Sequence, residues 1–183
     1  MNIYFELQQY LMNSSNLVVI PNYYYQGFEC DVLVVSKKLY TTEYEIKLTK
    51  SDFKADFNKQ RDYYDWQSRK TINGATKHDE IKRGKRTNRF YFVIPKGLDV
   101  EIPIYAGKII FYEKYKQINF EIVKRAKLLH KKTLSINEIE HIAGNLSWRY
   151  YNLLFAKEKG LYLNNKRIKL NEEGNTNLVV DAE

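Results

Sequence analysis

The chain has 183 residues, of which 44% are hydrophobic, and this length suffices for one hydrophobic core. Its 30 lysines and arginines outnumber its 22 aspartates and glutamates, so the net charge is +8 and a polyanion such as nucleic acid is the expected partner. Apolar runs are too short to cross a membrane, the N-terminus lacks the pattern of a secretion signal, and the single cysteine, Cys30, excludes an intramolecular disulfide. We therefore expect a cytoplasmic protein with no membrane partner.

The first elements predicted along the chain are a helix and a short strand. Apolar residues at helical spacing predict an opening helix over residues 3–12, which carries Glu6. The apolar run at residues 17–20 stops at Pro21 and indicates an edge strand. Residues 22–27, which read NYYYQG and are rich in tyrosine, are typical of a turn or loop.

Two stretches that follow, residues 29–35 and 42–48, predict a β-hairpin whose charged turn lies at residues 36–40. If the two strands run side by side, Asp31 of the first comes close to Glu45 of the second. Two carboxylates would then face each other across the hairpin.

One face of the second hairpin strand is predicted to be charged. Alternate side chains of a strand share a face and lie roughly 6.5 Å apart, so Glu43, Glu45 and Lys47 line the same side, while Glu29 shares the face of Asp31. Such a face is also typical of a solvated sheet surface with cross-strand ion pairs, each worth about 0.2–1 kcal/mol. From the hairpin alone, both a solvated surface and a site at which two carboxylates and a lysine act together are open interpretations.

Beyond the hairpin, Thr49 and Asp52 form a capping-box pattern that starts a predicted helix running to about residue 66, with Gln60 on it. The segment over residues 67–88 is typical of a basic loop with one helical turn. It is a candidate phosphate clamp or else a solvated, mobile loop, and its histidine is open to the same two interpretations. The residues expected to contact DNA are Lys77, His78, Lys82, Arg83, Lys85, Arg86 and Arg89.

The second half of the chain is predicted to supply two strands and then helices. The apolar run at residues 90–94 indicates a strand buried on both faces, and residues 106–112 indicate another. Helices are predicted at residues 120–132 and 135–159, the latter opening with a capping box. We expect one domain over residues 1–170, with a core of about 1–112, a helical part of about 113–170, and a poorly ordered tail at 171–183.

Two sequence stretches resemble the PD-(D/E)XK nuclease superfamily, and more narrowly its small MmcB-like and phage-encoded branch. Residues 45–53 read EIKLTKSDF, with Asp31 upstream, and residues 90–95 read FYFVIP. The resemblance covers roughly residues 27–98, and Cys30 stands where proline often precedes the aspartate. It implies an α/β fold with a restriction-endonuclease-like core, a mixed central β-sheet flanked by helices, and a C-terminal helical extension.

The resemblance also implies an Mg²⁺- or Mn²⁺-dependent endonuclease acting in the DNA metabolism or repair of a phage or a bacterium. Hard divalent cations prefer oxygen ligands, so Asp31, Glu45 and the Ile46 carbonyl are the expected ligands. Lys47 is expected to orient the nucleophile, since a lysine acts as a base only when its pKa is depressed. Residues expected to support these ligands, or to hold a second ion, are Glu43, Glu29, Glu6 and Gln60.

Other functions are open at this stage. The chain is alternatively a DNA-binding module that cleaves nothing, or an accessory subunit of a replication, repair or phage complex, and a homodimer is a further possibility. Kinase, dinucleotide-binding, serine-hydrolase and zinc-protease functions are disfavoured, because their glycine-rich, G-x-S-x-G and H-E-x-x-H motifs are missing from the sequence.

Overall fold

A computed structural model describes residues 2–65, 70–158, 162–163 and 166–167 of the chain. They form two compact units, one ending at Leu134 and one beginning at Ser135. The elements, in chain order, are α1 (Ile3–Leu11), β1 (Asn16–Tyr25), β2 (Phe28–Ser36), β3 (Thr41–Ile46), α2 (Lys50–Asp56), β4 (Gln60–Asp65), β5 (Lys70–Thr76), α3 (Lys77–Lys82), β6 (Arg89–Pro95), β7 (Gly107–Lys114), β8 (Gln117–Lys124), α4 (Ile136–Glu158), β9 (Tyr162–Leu163) and β10 (Lys166–Arg167).

A six-stranded mixed sheet forms the centre of the first unit, with strand order β1-β2-β3-β6-β7-β8. Strands β1, β2 and β3 form an antiparallel meander, β3 and β6 run parallel, β6 and β7 run parallel, and β8 returns antiparallel. The prediction of a mixed central sheet with helices is confirmed. Strand β1 lies at the sheet edge, where the missing N–H of Pro21 is tolerated, and it continues to Tyr25 through residues predicted to be a loop.

Helices pack on both faces of this sheet. Leu7 and Leu11 of α1 pack with Tyr44 and Ile46 of β3 on one face. On the other face, Phe53 of α2 and Ile81 of α3 pack with alternate residues of β6. Strand β6 is therefore buried on both sides, as its continuous apolar run predicts.

The predicted helix after the hairpin is shorter than expected. Thr49 caps α2 by accepting a hydrogen bond from the Asp52 amide at 3.1 Å, as the sequence predicts. The helix ends at Asp56, and Gln60 begins β4, which pairs antiparallel with β5. The predicted basic loop therefore contains β5 and α3, with residues 66–69 outside the described part of the chain.

The predicted helix over residues 120–132 is wrong, because residues 117–124 form strand β8. A two-residue turn, Tyr115 and Lys116, reverses the chain so that Phe120 pairs with Phe111. The sheet thus extends past the predicted core boundary at residue 112. After β8 the chain runs without helix or strand to Ser135.

The second unit contains the long helix α4. Ser135 and Glu138 form the predicted capping box, since the Glu138 amide donates to Ser135 Oγ at 3.3 Å and the Ser135 amide donates to Glu138 Oε2 at 2.8 Å. The predicted tail at residues 171–183 lies outside the described residues. Among the helices that the structure describes, none combines the length and apolarity needed to span a membrane.

Candidate active site

The β2–β3 hairpin brings Asp31 and Glu45 together. Val32 pairs with Tyr44, so Asp31 comes next to Glu45 on the neighbouring strands. The Ile46 amide donates a hydrogen bond of 2.6 Å to Asp31 Oδ2. Burial, together with the nearby charge of Glu45, raises the pKa of Asp31 from 3.8 to about 6, despite the opposing effect of that hydrogen bond. The two carboxylates therefore repel each other at close range.

Lys47 completes the acid–lysine set predicted from the sequence. Its Nζ lies 2.9 Å from Glu45 Oε2 and 2.9 Å from Asp56 Oδ1, and the side chain is buried. Burial alone lowers the pKa of this lysine, but the charges of Glu45 and Asp56 outweigh that effect, so its pKa lies above the ordinary value. Lys47 is held as an ammonium ion.

Asp56 connects Lys47 to a buried chain of hydrogen bonds. Its second oxygen, Oδ2, lies 2.8 Å from His78 Nε2, and His78 Nδ1 lies 2.8 Å from the Tyr105 hydroxyl. Burial raises the pKa of Asp56, but the hydrogen bond with His78 and the charge of Lys47 outweigh it and hold that pKa below the usual range. The carboxylate therefore stays charged and fixes the position of the lysine.

Lys77 is the most deeply placed cation of the site, with 0% of its surface exposed. Its ammonium group donates to Glu45 Oε1 and, at 3.1 Å, to the carbonyl of Glu29, and it lies 3.6 Å from Glu43 Oε2. Burial alone lowers the pKa of Lys77, but the charges of Glu45 and Glu43 outweigh that effect, so the net pKa lies above the ordinary value. Both oxygens of Glu45 thus face lysine ammonium groups.

Arg86 pairs with Glu43 on the same side of the sheet. Its Nη2 lies 2.9 Å from Glu43 Oε1, and its Nη1 donates to the carbonyls of Tyr25 and Gln26 at 2.7 and 2.9 Å. The guanidinium therefore fastens the β1–β2 turn to β3. Glu43 Oε2 is buried and accepts no hydrogen bond from the residues that the structure describes.

The predicted DNA contacts divide into two groups. Lys77, His78 and Arg86 are at most 2% exposed, so in the described structure their side chains are buried and not at the surface. The physical reason is that burial of Glu43, Glu45 and Asp56 requires paired cations. The remaining residues stay predicted contacts, since Lys82, Arg83 and Lys85 are exposed and Arg89 is half-buried.

The other predicted supporting residues lie apart from the acid–lysine set. Gln60 is exposed on β4, and the exposed Glu29 contributes its main-chain carbonyl to Lys77. Glu6 forms no hydrogen bond or ion pair with the set within the described chain. Two residues before it, Tyr4 has a pKa raised by burial and by the charges of Asp31 and Asp52, and positions two apart on a helix point nearly opposite ways.

Sequence reasoning missed Asp56, Lys59 and Tyr105. Lys59 Nζ lies 2.8 Å from Asp56 Oδ1 and 3.7 Å from Glu45 Oε2. One local signal was available, because Asp52 and Asp56 are four residues apart and share a helix face. Tyr105 follows β6 at a distance in sequence where no local pattern predicts a partner for His78.

The site offers oxygen ligands that suit a hard divalent cation, but lysines already pair with one of those ligands. Asp31 and Glu45 supply oxygen ligands, and Asp31 Oδ1 accepts no hydrogen bond from any described residue. Lys77 and Lys47, however, already occupy the two oxygens of Glu45. Within the described residues, no three or more His, Cys, Asp and Glu side chains gather as a ready metal-binding group. A cation at this site would therefore compete with these lysines for Glu45.

The fold and site define a mixed α/β protein with a buried cluster of acids and lysines on one face of a six-stranded sheet. No family model matches the chain, and no curated protein matches it. A solved structure, the SPO1766 protein of unknown function from Silicibacter pomeroyi, is similar with a TM-score of 0.52 at 17% sequence identity. The match covers 84% of this chain and 86% of that one, and it shows a shared fold.

Proposed function

We propose that this chain is a divalent-metal-dependent nuclease that hydrolyses phosphodiester bonds in DNA, with a restriction-endonuclease-like core. The observation that carries the proposal is the convergence of Asp31, Glu45 and Lys47. Ile46 holds Asp31 beside Glu45, and Lys47 lies 2.9 Å from Glu45. This is the acid–lysine set on which the resemblance to PD-(D/E)XK nucleases depends.

In this proposal Asp31, Glu45 and the Ile46 carbonyl hold Mg²⁺ or Mn²⁺. When bound, the ion lowers the pKa of a coordinated water and offsets negative charge on the phosphate. Burial, together with the nearby charge of Glu45, raises the pKa of Asp31, and a cation held by these two carboxylates would offset that repulsion.

The chain's own residues have separate tasks. Lys47 keeps its proton, because Glu45 and Asp56 raise its pKa. It therefore orients the nucleophile and offsets charge at the phosphate instead of removing a proton. Asp56 fixes the ammonium in place at 2.9 Å. The exposed Lys82, Arg83 and Lys85 supply phosphate contacts, which make binding fall steeply with salt.

A specific observation favours the second candidate, a non-catalytic DNA-binding module or accessory subunit. Lys77 and Lys47 already compensate the charge of Glu45, so the buried glutamate has charge partners within the protein itself. Titration with Mn²⁺ by calorimetry separates the two candidates. The nuclease binds Mn²⁺ and loses that binding on Asp31→Ala, whereas the non-catalytic module gives no heat that the substitution removes.

The substrate class is tested with a panel of supercoiled plasmid, linear duplex, single-stranded and branched DNA. Each is incubated with Mg²⁺, Mn²⁺ or EDTA, using the wild type and Glu45→Ala. Cleavage that needs metal and is lost in the variant supports the nuclease. Salt-sensitive binding without cleavage of any substrate supports the non-catalytic candidate.

A further inference from the structure

An open groove of about 420 Å³ lies next to the charged site and has no role in the proposed reaction. Its lining includes Tyr24, Phe28 and Glu29 of the β1–β2 hairpin, Lys59 just before β4, and Arg61 within β4. A cavity of this size is within the range of small-ligand sites. The groove is therefore large enough for one nucleotide unit.

Lys59 joins the groove to the site. It lines the groove, and its ammonium lies 2.8 Å from Asp56 Oδ1 and 3.7 Å from Glu45 Oε2. The main-chain carbonyl of Glu29, another lining residue, accepts a hydrogen bond from Lys77. If a nucleic-acid strand lay in the groove, the phosphate that follows the bound nucleotide would thus come close to Glu45.

Tyr24 offers an exposed and restrained aromatic ring at this groove. The side chain is 67% exposed, although the residue belongs to a strand. Its hydroxyl donates a hydrogen bond of 2.8 Å to the carbonyl of Gly27, which limits rotation of the ring. Exposed aromatic rings stack on nucleobases in proteins that bind single strands.

Arg61 lies directly over the turn of the hairpin. Gly27 has φ of +91°, and a Cβ there would lie 2.7 Å from Arg61 Cδ and from Arg61 Nη1. The glycine therefore allows the guanidinium to lie against the β1–β2 turn, and Tyr24 lines the same groove. The charged side chains that line the groove are Lys59, Arg61 and Glu29, and their formal charges sum to +1.

We propose that this groove binds one unpaired nucleotide of a single-stranded nucleic acid. The base stacks on Tyr24, and Arg61 and Lys59 contact the flanking phosphates. Duplex DNA does not fit this site, because a paired and stacked base has no free face for the ring. The inference rests on the proposed function only in placing this nucleotide next to the cleaved phosphate, and it makes single-stranded or locally unpaired nucleic acid the substrate.

The test is binding of fluorescent oligonucleotides in EDTA, where the proposed reaction does not occur. Anisotropy gives the Kd for a single-stranded thymidine oligonucleotide, its uridine ribonucleotide counterpart and a DNA duplex. Tyr24→Ala is expected to raise the single-strand Kd by roughly 5- to 100-fold, the effect of losing one base–aromatic stack. Tyr24→Phe keeps the ring and should preserve binding, as should Tyr115→Ala, which removes a distant ring that is 87% exposed.

Arg61→Ala supplies an independent variant. The slope of log K against log salt for the single strand should become shallower by about 0.7, the contribution of one phosphate contact. Lys38→Ala, which removes an exposed cation from the β2–β3 turn, should leave the slope unchanged.

Each outcome decides the proposal. A loss confined to the deoxyribonucleotide or to the ribonucleotide identifies DNA or RNA as the ligand. The groove proposal is overturned if wild type fails to bind either single strand, if Tyr24→Ala binds as wild type does, or if it loses duplex affinity equally. Because cleavage plays no part in this assay, single-strand binding through Tyr24 without cleavage under Mg²⁺ or Mn²⁺ would contradict only the nuclease.

Discussion

Lys47 and Asp56 form a buried ion pair, with Nζ 2.9 Å from Oδ1, that ties the end of β3 to the end of α2. Asp56 lies outside the motif that predicts the site, yet it contacts the lysine as closely as Glu45 does. Through His78 it also connects this lysine to Tyr105. The position and charge of Lys47 therefore depend on residues from three parts of the chain.

Replacing Lys47 by alanine is expected to stop cleavage while preserving binding. The substitution removes a fixed positive charge at the phosphate, and loss of one such electrostatic group costs about 100- to 1000-fold in rate. Asp56 keeps Lys59 and His78 as partners. The measurements are the cleavage rate and the Kd values for Mn²⁺ and DNA, with the exposed Lys50→Ala as a control; loss of binding in Lys47→Ala would contradict this role.

Arg86 and Arg83 are expected to behave differently although both were predicted to contact DNA. Arg86→Ala leaves Glu43 buried without its partner and should lower the free energy of unfolding by about 3–5 kcal/mol. Arg83→Ala removes an exposed charge and should leave stability within about 0.5 kcal/mol, while making the salt dependence of DNA binding shallower. Urea unfolding and DNA titrations at several salt concentrations measure both effects. Equal stability of the two variants would refute the buried pair.

Tyr105→Phe tests the hydrogen-bond chain behind Lys47. The variant keeps the ring but removes the hydroxyl that lies 2.8 Å from His78 Nδ1. The free energy of unfolding should fall by about 0.5–1.5 kcal/mol, as for loss of one buried hydrogen bond. Urea unfolding compares it with Tyr115→Phe, whose hydroxyl is at an exposed turn. If Tyr105→Phe lowered the free energy of unfolding no more than Tyr115→Phe does, the hydrogen bond to His78 would not stabilise the fold.

Asp31 is expected to make stability depend on pH in an unusual direction for a carboxylate. Its pKa is about 6 in the folded protein and 3.8 ordinarily, so the folded state holds the proton more tightly. Its contribution to stability is complete below the ordinary pKa and is lost as the pH rises through the folded pKa. As the pH rises between these two pKa values, Asp31→Asn should therefore become more stable relative to wild type, as measured by urea unfolding at successive pH values. A stability difference that does not change with pH would contradict the raised pKa.

The hairpin and its acid–lysine set were predictable because their signals are local. The turn between β2 and β3 is short, and alternation along β3 puts Glu43 and Glu45 on one face without knowledge of the rest of the fold. The burial of Lys77 and Arg86 was not predictable in the same way. A run of basic residues is usually solvated, and the acids that pair with these two lie more than thirty residues earlier in the sequence.

Strand β8 illustrates a signal that was present but overlooked. Ile118, Phe120 and Ile122 alternate with polar residues, which is typical of a strand. The turn before it was not predictable from its residue types, because Tyr115 and Lys116 both have positive φ although neither is glycine or asparagine. Pairing with β7 and packing of Phe120 against Tyr10, with ring centroids 5.0 Å apart, favour the strand.

The most direct test of the nuclease proposal is the nicking of supercoiled plasmid by wild type and Asp31→Asn, each with Mn²⁺ and with EDTA. Asp31→Asn suits this purpose, because an asparagine oxygen can still accept the Ile46 amide and the raised pKa indicates that a neutral side chain is tolerated there. Wild type should nick the plasmid with Mn²⁺ and not with EDTA, and the folded variant should not nick it under either condition. Nicking by Asp31→Asn at the wild-type rate, or its persistence in EDTA, would contradict a metal-dependent site at Asp31 and Glu45.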